Sequence, residues 1–282
     1  MSKRPPQEQD PPGHTDEMSP RPQDSMAYYS GSGLLEGARA LITGADSGIG
    51  RAVAVAFAKE GADVAFGYLS EHDDANETLR LVEKEGRKCV AYPGDLSDED
   101  HCRALVSLAV TDLGGVDVLV NNIAMQVPQS KFEDVSTEQW LRTFDVNMHS
   151  YYFMSREVLP HLAAGSSIIN TASINGLRGN ATLIDYSATK GAILAFTYSL
   201  AQALLDREIR VNCVAPGPVW TPLIPSTFDA DKVSTFGEQA PMGRAAEPDD
   251  IAPSYVFLAS NRLSNFYSGE VLAPVGGETM PG

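Results

Sequence analysis

Short apolar runs alternate along the chain with longer stretches in which apolar residues recur at helical spacing. The runs that predict strands are Ala38–Thr43, Asp63–Gly67, Lys88–Tyr92, Asp117–Asn121, Ser166–Thr171, Ile209–Val214 and Glu270–Pro274. The stretches between them predict helices at Ile49–Glu60, Asn76–Glu85, Glu99–Leu113, Glu138–Leu162, Tyr186–Leu205 and Asp249–Ala259. Strands that alternate with helices pair in parallel through right-handed crossovers. The pattern therefore predicts an α/β fold, with a doubly wound seven-stranded parallel sheet and helices on both faces.

The first 33 residues have a different composition. Six of the 18 prolines lie there, at positions 5, 6, 11, 12, 20 and 22, separated mainly by Gln, Asp and Ser. Such a segment cannot build a core of its own. We predict a proline-rich N-terminal extension over residues 1–33 and a single folded domain over residues 34–282. The extension is either disordered or laid over the folded body, with Met26, Tyr28 and Tyr29 as its best anchors.

Charge and cysteine content limit the partners and the compartment. Asp and Glu total 37 against 21 Lys and Arg, a formal net charge of -16, which repels a phosphate backbone and argues against a nucleic-acid partner. Cys89, Cys102 and Cys213 form no CxxC pair, so we expect reduced, buried thiols and an intracellular protein. Apolar runs are too short to span a membrane, and none follows Lys3 and Arg4 as a secretory signal would require. We therefore predict a cytoplasmic protein without a membrane or metal site.

The turn after the first predicted strand is rich in glycine. Gly44, Gly48 and Gly50 give the spacing GxxxGxG, with Ser47 and Ile49 beside them, and a helix follows. The three glycines permit a tight turn, a close backbone approach to a pyrophosphate and close packing of helix on strand. The helix N-terminus offers free N–H groups to phosphates. We predict a dinucleotide site in a single-domain Rossmann fold, although a glycine-rich turn without function remains an alternative.

The end of the second predicted strand bears on the choice of cofactor. Tyr68 stands where an acid would mark NAD, Ser47 carries no charge, and Glu71 disfavours a 2′-phosphate if it points inward. The cofactor is therefore NAD or NADP, with a slight preference for NAD. Asp95 with Leu96, and Asn122, follow the next two strands at the edge where ligands bind in such sheets.

Proton-transfer chemistry is indicated by four polar residues further along the chain. Tyr186 and Lys190 are four residues apart at the start of a helix and share a face. An ammonium beside a phenol favours the phenolate, so we expect Lys190 to lower the pKa of Tyr186, which exchanges a proton with the substrate oxygen. Ser173 would stabilise charge on that oxygen. Asn147 could bend its helix and hold a water behind Lys190. Taken alone, the Tyr–Lys spacing favours an ordinary surface pair; it gains weight because Ser173, the glycine loop and the strand order converge on one place.

Together these motifs resemble a known family. Thr43–Gly50, Asn121-Asn122, Ser173, Tyr186-x-x-x-Lys190 and Pro216-Gly217 are similar, in order and spacing, to the short-chain dehydrogenase/reductase superfamily in its single-domain branch. The proline-rich leader also resembles the glucose/ribitol dehydrogenase-like (YghA-like) subgroup. The resemblance makes residues 34–282 a catalytic domain. It implies transfer of hydride between a nicotinamide cofactor and a carbonyl or alcohol, such as an aldehyde, ketone, sugar or polyol.

The resemblance also implies roles for individual residues. Ser173, Tyr186 and Lys190 would form the catalytic triad, with Asn147 as a fourth member. Cofactor contacts are implied for Gly44, Ser47, Ile49, Asp95, Asn122, Tyr186, Lys190, Pro216, Gly217, Val219 and Thr221. Ala124 replaces the family's glycine close to the cofactor riboses, where we expect a slight shift of the loop. The family commonly forms homotetramers, pairing here through Asn147–Leu159 and Tyr186–Leu205.

Substrate choice would depend on the segment from Pro218 to Arg244. Its apolar residues form either a lid over the site or a subunit interface; they are Trp220, Pro222, Leu223, Ile224, Pro225, Phe228, Phe236 and Met242. The opposite walls would come from Met125, Gln126, Ile174, Asn175 and Leu183. A sugar-nucleotide epimerase is disfavoured by the glycine spacing, and an enoyl reductase by the Tyr-to-Lys spacing. A catalytically silent cofactor-binding sensor or stress protein remains the alternative of a different class.

Overall fold

A seven-stranded parallel sheet forms the centre of the protein. The structure, a computed structural model, describes residues 4–278, so the outer ends of both predicted units, residues 1–3 and 279–282, lie outside the described residues. The strand order is β3-β2-β1-β4-β5-β6-β7. The strands are β1 Arg39–Thr43, β2 Asp63–Tyr68, β3 Cys89–Pro93, β4 Val118–Asn121, β5 Ser167–Thr171, β6 Arg210–Val214 and β7 Val271–Leu272. This confirms the predicted doubly wound α/β sheet.

Helices cover both faces of the sheet, because neighbouring strand residues point to opposite sides. In β1, Ile42 belongs to the apolar core beneath two helices of one face, whereas Leu41 belongs to the core on the other face. The helices are α1 Gly48–Lys59, α2 His72–Lys84, α3 Glu99–Leu113, α4 Thr137–Phe144, α5 Ser150–Val158, α6 Ile174–Arg178, α7 Ile184–Ala203, α8 Ala230–Ser234, α9 Pro248–Ala259 and α10 Asn261–Ser264. Helix α1 packs on α9, and α3 packs on α5.

Three details differ from the sequence prediction. The helix predicted over Glu138–Leu162 contains a π-helical turn at Asp145–His149, which separates α4 from α5. Helix α2 begins four residues earlier than predicted, with Asp73 and Asp74 in its first turn, where carboxylates favour the helix N-terminus. The short helices α6, α8 and α10 lie in segments for which we predicted no element, because so few residues carry no periodic signal.

The N-terminal extension is laid over the folded body. Of the three predicted anchors, Met26 is buried in the core, and the Tyr29 hydroxyl donates a hydrogen bond to Glu60 of the C-terminal cap of α1. Tyr28 was wrongly predicted as an anchor, since its side chain is 95% exposed. Met18, which we did not predict, packs with Trp220 beneath the extension. The extension is therefore held by tertiary contacts and not by a core of its own.

The three cysteines are buried and unpaired, as expected from their spacing. Within residues 4–278, no helix is both long and apolar enough to cross a membrane. The same residues contain no group of three or more His, Cys, Asp or Glu side chains arranged to hold a metal ion.

Candidate active site

A cavity of about 790 Å³ opens at the carboxyl ends of the central strands. This is the edge at which open α/β sheets bind ligands, and the volume lies within the range of small-molecule and cofactor sites. The predicted site residues on its wall are Gly44, Ser47, Gly48, Ile49, Tyr68, Asp95, Leu96, Asn122, Ala124, Ser173, Tyr186, Lys190, Pro216, Gly217, Val219 and Thr221. Gly50 and Asn147 lie behind the wall.

The glycine loop has a conformation that its glycines permit. Gly44 and Gly48 have φ of +67° and +54°, in the left-handed region. A Cβ on Gly48 would come within 2.9 Å of the Thr221 side chain, across the cavity. A Cβ on Gly50 would come within 1.9 Å of the Gly44 carbonyl oxygen, so Gly50 serves the packing of α1 on β1. The loop leaves the backbone open at the N-terminus of α1, a cradle suited to a pyrophosphate.

Two buried carboxyl groups flank Tyr68 at the end of β2. Asp46 and Glu71 both lie on the cavity wall and are nearly inaccessible to solvent. Burial, and then the neighbouring charge of Glu71, raise the pKa of Asp46 to about 7. The backbone N–H of Ser70 donates to Glu71 at 2.6 Å. Sequence analysis considered Glu71 and missed Asp46, although an acid inside the glycine loop was a signal available for it.

The ends of β3 and β4 supply the next part of the wall. The Asn122 side-chain amide donates to the carbonyl oxygen of Gly44 at 2.9 Å, which ties β4 to the glycine loop. Asp95 forms an ion pair with Arg142 at 2.9 Å. Burial opposes ionisation of Asp95, but hydrogen bonds from Ser97 and Arg142 hold its pKa below the ordinary value. Both residues that we predicted from their place after a strand thus reach the cavity.

The residues predicted to transfer a proton converge from β5 and α7. Ser173 follows β5 and caps α6, where its hydroxyl accepts from the N–H of Asn175 at 3.1 Å. The Ser173 side chain interacts with the Tyr186 phenol and lowers its pKa. Tyr186 lies in the first turn of α7, and Lys190 follows one turn later. The Lys190 ammonium donates to the Thr171 carbonyl oxygen at 2.8 Å and lies 5.6 Å from the centre of the Tyr186 ring.

Burial governs the electrostatics of this pair. It raises the pKa of Tyr186 to about 12, against the lowering effect of the Ser173 hydrogen bond. It lowers the pKa of Lys190 to about 7. Our expectation that Lys190 lowers the pKa of Tyr186 is not met by the protein alone, because desolvation dominates and the ammonium is directed at Thr171. At neutral pH the phenol therefore holds its proton.

Asn147 lies in the π-helical turn behind Lys190. Its side-chain oxygen accepts from the N–H of Met125 at 2.8 Å, and its amide donates to the Met125 carbonyl at 2.9 Å and to the Thr189 hydroxyl at 3.2 Å. It therefore fixes the segment after β4 against α7. Tyr151, four residues later on the same helix face, is buried with its hydroxyl 3.5 Å from the Lys190 ammonium. Sequence analysis missed Tyr151, although that four-residue spacing was a usable signal.

The segment from Pro218 to Arg244, which we name the lid segment, lines one side of the cavity. Five of its predicted apolar residues line the cavity, namely Pro222, Leu223, Ile224, Phe228 and Phe236. Trp220 does not, because it is buried against Met18 of the extension, and Met242 is 69% exposed. Pro225 likewise lies outside the wall. All five residues predicted for the other walls reach the cavity, namely Met125, Gln126, Ile174, Asn175 and Leu183.

The extension also reaches the cavity, which sequence analysis did not foresee. Pro11, Pro12 and Gly13 lie on its wall. No local pattern could indicate this, because the contacts join residues about 200 positions apart in the chain, such as the Trp220 indole N–H to the Pro20 carbonyl at 2.9 Å.

The fold and the site together define the class of protein. A family model described as enoyl-(acyl carrier protein) reductase matches residues 44–279. The chain belongs to the short-chain dehydrogenase/reductase family and is an NAD(P)-dependent oxidoreductase.

Its curated relatives are similar over nearly the whole chain. It is 50% identical to the glucose and ribitol dehydrogenase of Daucus carota, over 99% of this chain and 98% of the relative. It is 48% identical to the NADPH-dependent aldehyde reductase 1 of Arabidopsis thaliana, over 95% and 96%. It is 50% identical to general stress protein 39 of Bacillus subtilis, over 94% and 93%.

Solved structures share the fold. A short-chain dehydrogenase from Burkholderia cenocepacia in complex with NADP is 30% identical with a TM-score of 0.81, and covers 86% of this chain and 98% of its own. One from Mycobacterium paratuberculosis bound to NAD is 32% identical with a TM-score of 0.78, over the same shares. Both nicotinamide cofactors therefore occur among structures that this chain resembles.

Proposed function

We propose that the protein interconverts a carbonyl and an alcohol, with Tyr186 as the general acid or base. The observation that carries this proposal is the meeting of Ser173, Tyr186 and Lys190 on the wall that also holds the glycine loop. The loop fits a pyrophosphate, since its positive-φ glycines leave room for one at a helix N-terminus. A silent sensor would have no use for a buried phenol and ammonium placed together, which favours the enzyme.

The residues divide the chemistry between them. When bound, the nicotinamide supplies a hydride to the carbonyl carbon or accepts one from the alcohol carbon. Tyr186 gives its phenolic proton to the carbonyl oxygen as that oxygen gains charge, so C=O becomes CH–OH and the phenol becomes phenolate. Ser173 donates to the same oxygen. Because the pKa of Tyr186 is raised to about 12, the protein alone holds the proton needed for reduction.

For the substrate we propose a small aldehyde, ketone, sugar or polyol. The wall opposite the glycine loop mixes apolar side chains, such as Leu183 and Phe228, with the amides of Gln126 and Asn175. Amides can hydrogen-bond hydroxyl groups, whereas a fatty-acyl chain would leave them without partners. The names of the carrot and Arabidopsis relatives support the same class. The Tyr-x-x-x-Lys spacing also favours carbonyl over enoyl reduction.

For the cofactor we propose NAD over NADP. Asp46 and Glu71 stand at the end of β2, where the adenosine ribose is held in Rossmann folds. A carboxylate there accepts from a ribose 2′-hydroxyl and repels a 2′-phosphate. Neither carboxyl group is paired with a basic side chain in the described hydrogen bonds and ion pairs, since the Arg51 guanidinium reaches Asp46 only at its backbone carbonyl, at 2.6 and 2.9 Å. This supports NAD.

We propose a cytoplasmic homotetramer. The buried, unpaired cysteines support a reducing compartment. Large apolar side chains stay exposed on the helices through which we expect subunits to pair, including Tyr152 on α5 and Tyr198 on α7. Exposed apolar groups that cluster on one surface mark interaction sites.

The function is tested by nucleotide binding followed by turnover. We expect the quenching of protein fluorescence, or the enhancement of nucleotide fluorescence, on titration with NADH. In a panel of aldehydes, ketones and polyols, Tyr186→Phe should lower kcat by roughly 10²–10⁴-fold while binding of NADH is kept. The conservative Tyr152→Phe is the matched control. Unchanged turnover in Tyr186→Phe would overturn the role of Tyr186, and absence of any nucleotide binding would overturn the function.

Cofactor choice is tested with Glu71→Gln and Asp46→Asn. Glu71→Gln removes a negative charge near the ribose site, and Asp46→Asn removes part of one, because a pKa of about 7 leaves the Asp46 carboxyl partly protonated at neutral pH. The ratio of the NADPH to the NADH dissociation constant should therefore fall, by about tenfold in the double variant. Asp73→Asn, an exposed acid in the first turn of α2, is the control and should leave the ratio unchanged. Wild type that prefers NADPH would contradict the proposal.

A further inference from the structure

The extension crosses the open side of the cavity between two fixed points. Residues Gln9–Thr15, which we name the strap, run from the lid segment to α2. At one end the backbone N–H of Gln9 donates to the Pro225 carbonyl at 2.9 Å. At the other end the backbone N–H of Thr15 donates to the carboxylate of Asp74 at 3.0 Å. Between these points Pro11, Pro12 and Gly13 line the cavity.

The strap is closed on itself by one side chain. The Gln9 carboxamide oxygen accepts from the N–H of His14 at 2.7 Å, and its amide donates to the His14 carbonyl at 3.1 Å. Two prolines within this loop further restrict its backbone. The strap is therefore a fixed loop and not a flexible tail, and little conformational entropy remains to be lost when a ligand is covered.

Each fixed point is itself rigid. Asp74 also accepts from the buried guanidinium of Arg51 at 2.7 Å, so the α2 end is tied to α1 and the glycine loop. At the lid end, the guanidinium of Arg4 stacks over the Trp220 ring at 4.4 Å. The Trp220 indole N–H is bonded to the Pro20 carbonyl, so residues before and after the strap both hold the lid segment.

The strap lies over one half of the cavity. Gly13 lies so close to Pro222 that a Cβ would come within 2.4 Å of the Pro222 carbonyl oxygen. Pro222 in turn faces Gly48, where a Cβ would lie 3.8 Å from its ring. The other end rests on α2, three residues beyond Glu71. The strap thus crosses the phosphate and adenosine half of the cleft, away from Tyr186.

We infer that the strap forms an additional wall of the cofactor site, contacts the dinucleotide over its phosphates and adenosine ribose, and retards its exchange. The inference rests on the proposed function, because it needs a dinucleotide in this cleft. The family model begins at residue 44, so this wall lies outside the part of the chain that the family model matches. The strap lies away from the proton-transfer residues. It therefore affects how long the cofactor stays bound and not the rate of the chemical step.

The test is the rate at which bound NADH leaves, measured by stopped-flow displacement in the full-length protein. Gly13→Val places a side chain against the Pro222 carbonyl and should push the strap outward. Thr15→Pro removes the N–H that binds Asp74. Each should raise the dissociation rate about tenfold with little change in the association rate. Tyr28→Ser, an exposed site in the same extension, is the control.

The possible outcomes distinguish failure of the strap inference from failure of the proposed function. Faster release in either folded variant, with the Tyr28→Ser rate equal to wild type, supports the strap. A lower Tm with an unchanged dissociation rate means that the extension only stabilises the fold, and it overturns the inference. If wild type binds neither NADH nor NADPH, the proposed function fails, and the strap fails with it. Thr15→Pro carries the test if Gly13→Val does not fold.

Discussion

Burial moves the pKa values of two side chains of the site away from those of their free forms. Lys190 and Tyr186 lose water on folding, and each pKa moves in the direction that favours the neutral form. The neutral phenol is useful for donating a proton to a carbonyl. The buried lysine is costly to stability when charged, so folding and catalysis make opposite demands on one residue.

Replacing Lys190 with Met should therefore stabilise the protein in a pH-dependent way. The folded pKa of about 7 lies below the ordinary lysine value of 10.5. Wild type therefore loses stability as pH falls from 10.5 to 7, and the full penalty is present below 7. The variant lacks this penalty, which is at most about 5 kcal/mol. Urea unfolding of both proteins at about pH 7 and about pH 10 measures the difference in their free energies of unfolding.

The gain of Lys190→Met over wild type should be larger at the lower pH, while turnover is lost. A gain that does not change with pH would show that the ammonium stays hydrated. Lys84→Met on α2 lies outside the cavity and controls for the general effect of removing one positive charge.

At the scale of elements, close approaches between backbones set the shape of the site. Helix α1 meets the end of β1 at Gly50, and α6 meets α7 where Gly176 lies against Lys190 and Gly191. The first contact positions the helix N-terminus that faces the phosphates. The second brings the Ser173 cap of α6 beside the first turns of α7. Neither contact leaves room for a side chain at Gly50 or Gly176. In the sequence, each contact is therefore visible only as a glycine.

Gly50→Ala should destabilise the protein and weaken nucleotide binding. Its methyl group would meet the Gly44 carbonyl at 1.9 Å, and the helix must move away from β1. Overpacking of this kind costs about 1–3 kcal/mol, seen as a lower midpoint in urea and a higher dissociation constant for NADH.

Gly191→Ala is the matched control in α7. There the added Cβ would lie 3.6 Å from the Gly176 carbonyl, an ordinary contact. Because alanine is the better helix former, this variant should gain about 0.5–1 kcal/mol. Equal effects of the two substitutions would mean that the α1–β1 contact is not tight.

At the scale of the whole molecule, the exposed apolar side chains favour burial against a partner surface. Five such side chains are each at least 43% exposed, namely Leu141 of α4, Tyr152 of α5, Tyr198 of α7, Leu205 in the 3₁₀ turn after α7 and Phe266 after α10. A net charge of -16 opposes association at long range, so such contacts must be specific and should tighten with salt.

Light scattering on the purified protein should give a mass of four chains. Leu205→Asp and Tyr152→Asp place a charge on the two proposed pairing surfaces, and each should reduce the tetramer to dimers. Tyr28→Asp, on the extension, should leave the tetramer intact. A monomeric wild type would contradict the proposed assembly.

Much of the site was predictable because its residues occupy local positions with a fixed geometry. The glycine loop follows a strand, Asn122 and Asp95 follow strands at the same sheet edge, and Tyr186 and Lys190 share one helix face. Hydrophobic periodicity and the order of strands and helices along the chain predict a parallel sheet. The carboxyl ends of parallel strands lie at one edge, so the residues that follow them come together. Asp46 and Tyr151 carried local signals, an acid inside the glycine loop and a four-residue spacing from Asn147. Their importance became evident only from their burial, which local patterns do not report.

The sequence by itself therefore determined the fold class, the binding edge of the sheet and the residues proposed to transfer a proton, since these depend on periodicity and short spacings. Only the tertiary structure decided the path of the extension, the burial that moves the pKa values of Tyr186 and Lys190, and the π-helical turn around Asn147. The physical reason is the range of the contacts. Hydrogen bonds such as that from Thr15 to Asp74 join distant segments, and desolvation depends on everything packed around a side chain.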